Sequence, residues 1–365
     1  MYIYENPGWP EFTFDNNRIS PLLEACHIEQ GKLLSKMELL GLTEKEDKVL
    51  STITSDIIKS NEIEGLLLNY DQVRSSIARR LGFNNPCSVQ SDRNIDAVVE
   101  MMLDATENYQ KELTQERLFG WHACLFPTGY SGMYKIDVGK YRTNPMQVVS
   151  GGIGQEKVHY VAPDAEKLNV EMNRFFDWLK TFCGDTLLKA AIAHFWFVTI
   201  HPFDDGNGRI ARTISDMFLC QSDRTSLRFY SMSNQIMKEK NRYYEILEIT
   251  QKGSLDITLW LEWFLNCLLS ALKESYEQTD QVIRKYRYLQ SIENIELNQR
   301  QRIMIQKLVS GSWFGVLNTS KWAKIAKCSG DTALRDITDL IKKGILEKEA
   351  TAGGRSTNYV IKWNS

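Results

Sequence analysis

Residues 187–200, LLKAAIAHFWFVTI, are apolar on nearly every face of a helix. Such a helix has to be enclosed by other elements, because its surface would otherwise stay in water. It is too short for a membrane span, which needs roughly 18 or more apolar residues, and no other segment approaches that length. Several further helices are therefore expected around it. The chain's 365 residues exceed an ordinary single domain and predict two or three. A hydrophobic fraction of 43% and a charged fraction of 25% exclude a collagen-like, mucin-like or disordered chain. The N-terminal MYIYENPGWP lacks the basic and then apolar segments of a signal peptide. Seven cysteines with no C-x-x-C pair point to neither a disulfide framework nor a zinc ribbon. A soluble, cytoplasmic protein with reduced thiols and no membrane partner is the expectation.

Helix signals recur along the chain. Ser20 and Pro21 form an N-cap and first helical residue for a helix to Gly41, and Thr43 with Glu46 forms a capping box for a second over 43–64, which Gly65 stops. Residues 81–95 read as loop. Helical patterning resumes through Met101 and Tyr109, then over Thr114 to Phe126, 164–182, 186–200, 207–221, 235–251 and 255–273. Between them Gln147–Ser150 and Val158–Val161 flank the turn Gly151, Gly152, Ile153, Gly154, which predicts a β-hairpin. A charged connector, 276–296, leads to a basic segment. From Leu297 to Ser365, 12 Lys and Arg stand against 5 Asp and Glu, a net +7, leaving −9 for the residues before it.

The apolar helix ends in His201-Pro202-Phe203-Asp204-Asp205-Gly206-Asn207-Gly208-Arg209. Gly206, Asn207 and Gly208 stand where the next helix begins, so its unpaired N–H groups and positive dipole end form a cradle for an anion such as phosphate. Arg209 and Arg212 lie on its first turns and can clamp phosphate oxygens. Asp205 supplies the hard carboxylate oxygen that Mg²⁺ prefers beside phosphate and water. His201 is suited to take a proton near neutral pH. Zinc hydrolysis is a poor rival, since the five histidines show no H-x-x-x-H or H-x-x-E spacing. His194, two turns before His201 on the apolar helix, reads as a core residue.

This segment, HPFDDGNGRIAR, resembles the active-site motif of the Fic family, H-P-F-x-[D/E]-G-N-G-R-x-x-R, and meets every specified position. The resemblance implies transfer of AMP from ATP to a hydroxyl side chain of a protein. His201 would be the general base and Asp205 would hold Mg²⁺. Asn207 and the adjacent glycine amides would grip the α- and β-phosphates, and Arg209 and Arg212 the β- and γ-phosphates. The kinase branch of the family has Lys where this chain has Gly208, so the glycine leans toward AMP transfer. Gly139-Lys140-Tyr141-Arg142 looks like the family's lead-in to a hairpin that lays the target segment beside the site by strand addition. Asn241, Tyr243 and Tyr244 resemble the segment bordering the adenine pocket. The N-terminal WPEFTFD resembles the start of a domain fused ahead of such cores, its aromatics read as packing.

Ser60-Asn61-Glu62-Ile63-Glu64-Gly65 matches [S/T]-x-x-x-E-[G/N], the family's inhibitory helix signature. A carboxylate in the last turn of a helix faces the negative dipole end and needs a cation. By the resemblance that cation is Arg212, and the pair would occupy the γ-phosphate position and misalign ATP. After the connector, the order Arg300–Val309, Thr319–Lys327, Gly330–Lys342, then two short strands about the Gly353-Gly354 turn, resembles a winged helix. Thr332 and Arg335 are its base-reading candidates, while Asp331, Asp336 and Asp339 would put negative charge near a groove-facing surface. The expected architecture is mainly α. An N-terminal helical region (1–95) carries the inhibitory helix, a Fic core (96–275) carries one hairpin flap, and a winged helix occupies 297–365. A self-inhibited adenylyltransferase using ATP and Mg²⁺ is the first reading. A DNA-binding regulator with a nucleotide-sensing core, or an enzyme removing AMP with Glu64 positioning a water, stays open, as do self-modification and homodimerisation.

Overall fold

Asp15, rather than Ser20, starts the first long helix. Its carboxylate accepts from the Asn17 N–H at 2.9 Å, and its own N–H is held by Thr258 Oγ1 at 2.9 Å. The computed structural model describes residues 1–83, 88–151, 157–310, 315–349 and 357–363, and the chain divides into two compact units, Met1–Tyr276 and Glu277–Ser365. In the first unit α1 (Asn16–Met37), α2 (Leu42–Ile63), α3 (Tyr70–Leu81), α4 (Arg93–Glu107) and α5 (Gln115–Leu125) precede two hairpins, β1–β2 (Tyr130–Ser131, Tyr134–Lys135) and β3–β4 (Gln147–Ser150, Lys157–Val161). Then come α6 (Leu168–Thr181), α7 (Thr186–Ile200), α8 (Asn207–Asp223), α9 (Met232–Lys238) and α10 (Lys240–Gln251), and α11 (Thr258–Ser291) begins in the first unit and ends in the second.

The apolar run is α7, buried at every residue from Ala190 to Ile200. Its Trp196 takes the edges of Trp9, Phe12, Phe175 and Trp178, with centroids 5.5–6.0 Å apart. The WPEFTFD aromatics therefore pack against the central helix, each such pair worth roughly 0.5–1.5 kcal/mol beyond its buried area. His194 is fully buried, bonded to Ser215 Oγ at 3.0 Å and Tyr243 Oη at 2.9 Å.

Local signals misplace several boundaries. With Asp15 as cap, Ser20 and Pro21 fall in the second turn of α1, so Pro21 costs one helical hydrogen bond instead of opening the helix. Gly41 holds the cap position of α2 with no side-chain bond, so Thr43 is already helical and the Thr43–Glu46 box does not form. Helix α3 lies in a stretch given no structure from the sequence, although Asn69 caps it through the Gln72 N–H at 3.1 Å and Gly82 ends it at φ 70°. The helix expected over 235–251 breaks at Glu239 into α9 and α10, and α11 continues to Ser291 through most of the expected connector. The flap hairpin has the register Gln147↔Val161 and Val148↔Tyr160, with an irregularity between Val148 and Val149. Its Gly152-Ile153-Gly154 turn lies outside the described residues, as does the Gly353-Gly354 turn.

The second unit contains α12 (Gln299–Ser310), α13 (Thr319–Ala326), α14 (Gly330–Lys342) and the antiparallel pair β5 (Leu346–Lys348) and β6 (Tyr359–Ile361). Its own core forms around Trp322, Ile337 and Leu340. Asp336 does not stand on an outer face. It is 5% exposed and accepts from Arg300 Nε at 2.8 Å and Asn298 Nδ2 at 2.9 Å. Asp339 accepts from Gln301 at 2.9 Å and Lys343 at 2.6 Å. The outward face of α14 carries Asp331, Leu334, Arg335, Thr338 and Lys342.

Candidate active site

Helix α7 ends because His201 turns left-handed (φ 53°, ψ 57°) and Pro202 cannot continue the helix. This is the ordinary left-handed helix cap, which Arg224 and Lys327 also adopt at the ends of their helices. Arg142 braces the turn from outside: its Nε donates to His201 O at 2.9 Å, Nη1 to Asn144 O at 2.8 Å and Nη2 to Pro163 O at 2.6 Å. His122 braces it from below, stacking on Phe203 at 4.1 Å. Because His122 Nδ1 accepts the Gly139 N–H at 3.0 Å, its Nε2 carries the proton and donates to Asp205 O at 3.2 Å. Burial pushes its pKa down to about 4, so it stays neutral.

The loop re-enters a helix through Gly206 at φ 84°, where a Cβ would lie 2.9 Å from the Phe126 ring. Asn207 closes the turn. Its side chain is 2% exposed, donating to Phe203 O at 2.8 Å and accepting from Phe203 N at 3.0 Å. Both polar atoms of the amide are thus engaged within the loop, and Asn207 lines the cavity at the start of α8. The first-turn amides of α8 lack intrahelical acceptors and open onto a cavity of about 660 Å³.

His201 Nδ1 lies 3.1 Å from Val198 O and, facing a carbonyl, must donate. This leaves Nε2 as a lone-pair acceptor on the cavity wall, and burial lowers the imidazole pKa below its ordinary value. Asp205 accepts the Ser131 hydroxyl through Oδ2 and the Gly206 N–H through Oδ1. Its neighbour Asp204 accepts the Asp137 N–H at 3.0 Å and also lines the cavity. Among the described residues no cluster of three or more His, Cys, Asp or Glu could cage a metal. One half-exposed carboxylate beside a phosphate cradle instead suits Mg²⁺, which keeps water and phosphate oxygens as its other ligands.

Arg212 is buried beneath the cradle. Its Nη2 donates to Glu64 Oε1 at 2.7 Å and to Ser60 O at 2.8 Å, and its Nε to Ser60 Oγ at 2.9 Å. Nη1 of Arg212 and Nε of Arg209 have no partner though buried, and Arg209 lies 4.9 Å over the Phe126 ring. Arg209 also lies 3.9 Å from Asp205 Oδ1, so the two guanidiniums face two carboxylates and each keeps one buried N–H group without an acceptor. Glu64 ends α2, and Gly65 at φ 80° lets the chain turn away at once, with Leu66 N bonded to Asn61 O at 3.0 Å. Tyr243 and Tyr244 line the cavity, but Asn241 is exposed on the first turn of α10 and is not brought to it. The bracing roles of Arg142, His122 and Ser131 escape the sequence; only the G-K-Y-R segment signals one of them.

Residues 2–83 match a family described as a domain of unknown function (DUF4172), and residues 112–219 match the Fic/DOC family. The protein adenylyltransferase Fic of Aedes aegypti is 23% identical over 275 residues, covering 72% of this chain and 50% of that protein. That of Drosophila yakuba is 32% identical over 215 residues, covering 58% and 39%. The chain thus spans about half the length, or less, of these curated relatives. A crystal structure of a Fic family protein from Desulfovibrio desulfuricans G20 shares the fold, with a TM-score of 0.56 at 20% identity over 98% of this chain and 99% of that one.

Proposed function

We propose, for a chain that carries a Fic/DOC family domain, a self-inhibited protein adenylyltransferase that transfers AMP from ATP to a hydroxyl side chain of a protein, itself included. The supporting observation is that one cavity holds the free Nε2 of His201, the first-turn amides of α8 and the Glu64–Arg212 pair. A base, an anion cradle and a plug on that cradle share one space.

In this reading the α8 amides hold the phosphates and Arg209 and Arg212 take the terminal ones. His201 Nε2 accepts the proton of the acceptor hydroxyl as its oxygen attacks the α-phosphorus, and pyrophosphate leaves. Asp205 would hold Mg²⁺, whose charge offsets that of the phosphates. Tyr243 and Tyr244 border the adenine. Glu64, seated on Arg212, occupies the place of the γ-phosphate and denies the leaving group its clamp.

The test is incubation with ATP labelled at the α-phosphate and mass spectrometry of the products. Glu64→Gly should raise self-labelling by orders of magnitude, since each ~1.4 kcal/mol of recovered transition-state stabilisation is tenfold in rate. Adding His201→Ala should abolish labelling while leaving nucleotide binding intact. Equal labelling of wild type and Glu64→Gly across ATP and Mg²⁺ concentrations would defeat the inhibitory assignment.

A further inference from the structure

The chain's first turn, Ile3–Glu5, lies against the outer side of the flap hairpin. Tyr4 Oη donates to the carbonyl of Val161, the last residue of β4, at 3.0 Å. Tyr160 presents its ring edge-on to Tyr2, at 5.2 Å, and to Tyr4, at 6.2 Å. Its own hydroxyl donates to Thr199 O at 2.5 Å, two residues before His201. A continuous set of contacts therefore joins the start of the chain, through β4, to the turn that carries the base.

The arm is anchored well beyond Tyr4. Trp9 Nε1 donates to Glu171 Oε2 at 2.7 Å, and Thr13 exchanges backbone bonds of 2.9 Å with Leu255 and Ile257. The ladder says which edge it covers. Ala162 N bonds Met146 O, so in the antiparallel alternation the next pair, Gln147 and Val161, directs its backbone groups outward. Tyr4 thus takes an outward carbonyl of β4, and among the described residues no strand pairs with the other edge of β3, where one could be added. A two-stranded hairpin is marginal without support, and a mobile one would present an acceptor segment at variable depth above His201.

We propose that the N-terminal arm is a clasp for the flap, with Tyr4 as a positioning residue that fixes where an extended protein acceptor, paired along β3, delivers its hydroxyl. The domain that plugs the phosphate cradle with Glu64 at one end thereby holds the acceptor side of the same cavity at the other. This inference rests on the transferase reading.

The experiment places Tyr4→Phe, which keeps the ring and removes the hydroxyl, in the full-length Glu64→Gly protein. Three quantities are measured: amide hydrogen exchange of 147–150 and 157–161, affinity for a fluorescent ATP analogue, and self-labelling from α-phosphate-labelled ATP with the modified residue mapped. Faster exchange in the hairpin, labelling slowed by about fivefold, the worth of roughly one hydrogen bond, and nucleotide affinity within about twofold are expected. Unchanged exchange would overturn the clasp, and faster exchange with undiminished labelling would overturn the positioning role. Equal losses of labelling and nucleotide affinity would also overturn it, as would AMP mapped onto Tyr4 itself. Absence of labelling in the Glu64→Gly parent would instead defeat the transferase reading, and the exchange measurement would still decide whether the clasp exists.

Discussion

Gly208 is demanded by its neighbour rather than by its own backbone. A Cβ there would lie 2.4 Å from Glu64 Oε1 and 3.2 Å from Arg212 Nη1, so only glycine lets the carboxylate sit down on the arginine. The obstructing atom ends a flexible side chain, and Glu64 can yield. Gly208→Ala should therefore raise self-labelling, by about tenfold if the pair loses ~1.4 kcal/mol, and should add nothing when Glu64 is already glycine. Loss of labelling in both backgrounds would mean that the methyl group obstructs the phosphate instead. The sequence reads Gly208 as a choice between two chemistries, whereas the structure adds a steric reason invisible without knowing that Glu64, 144 positions earlier, reaches this spot. The same holds for Asn207 and Arg142. The twelve-residue motif makes the helix start and its charges legible because both are local, but which way Asn207 turns, and what Arg142 braces, depend on carbonyls that only the folded chain brings near.

Helices α2 and α8 run in opposite directions and meet at every fourth residue: Glu64 sits over Gly208 and Arg212, and Ser60 on Arg212. One turn further back, Asp56 and Asp216 adjoin, and burial together with this second carboxyl pushes the Asp216 pKa well up. Arg228 compensates Asp216 and Asp223, its Nη2 on Asp216 Oδ1 at 2.7 Å and its Nη1 3.7 Å from Asp223 Oδ2, all nearly without solvent contact, while Asp56 accepts from the Ser231 hydroxyl and Ser233 N. Removing the cation from such a group strands buried carboxyls, so Arg228→Met should cost about 3 kcal/mol, read as a lowered urea midpoint with unchanged slope. On α7, His194 ties α8 to α10 as a neutral ring, and burial holds its pKa down to about 3. A histidine whose folded pKa is depressed binds its proton more readily when unfolded, so its contribution is full above the unfolded pKa and is lost as pH falls. Between pH ~6.5 and ~4, His194 and His122 should each remove about 1.4 kcal/mol of stability per pH unit. Denaturation at pH 7 and 5 checks this, and a flat profile would contradict it. Helix existence is readable wherever apolar spacing is strong, as in α4 to α8. It fails at α3, whose buried face holds Ser75, Ser76 and Ala78 beside only Val73 and Ile77 and so carries little apolar signal, and at helix starts, where Asp15 prevails because tertiary contacts pin it.

At the scale of the whole chain, opposite charges are segregated into an acidic first unit and a basic second one, and only the first contains the candidate site. The second unit keeps a hydrophobic core of its own, so residues 277–365 should fold in isolation as a small cooperative domain. Its net charge from 297 onward is +7, yet three aspartates on or near α14 argue from sequence against a nucleic-acid surface. The structure withdraws Asp336 into an ion pair with Arg300 and engages Asp339 with Gln301 and Lys343, leaving Asp331 opposed by Arg335 and Lys342 on the outward face. Positive charge with few base-reading groups favours phosphate contact over sequence selection: of the two candidates Thr332 is half-buried with its hydroxyl 2.9 Å from Ser329 Oγ, which leaves Arg335. Titration of the isolated segment with duplex DNA should therefore show weak binding that falls steeply with salt, on the order of a hundredfold between 50 and 200 mM if about four phosphates are engaged. Arg335→Ala should lower that affinity alike for unrelated sequences and flatten the salt slope by about one. A tight site retained at 200 mM salt, with loss of selectivity in Arg335→Ala, would instead make the second unit a sequence reader and the nucleotide cavity its regulator.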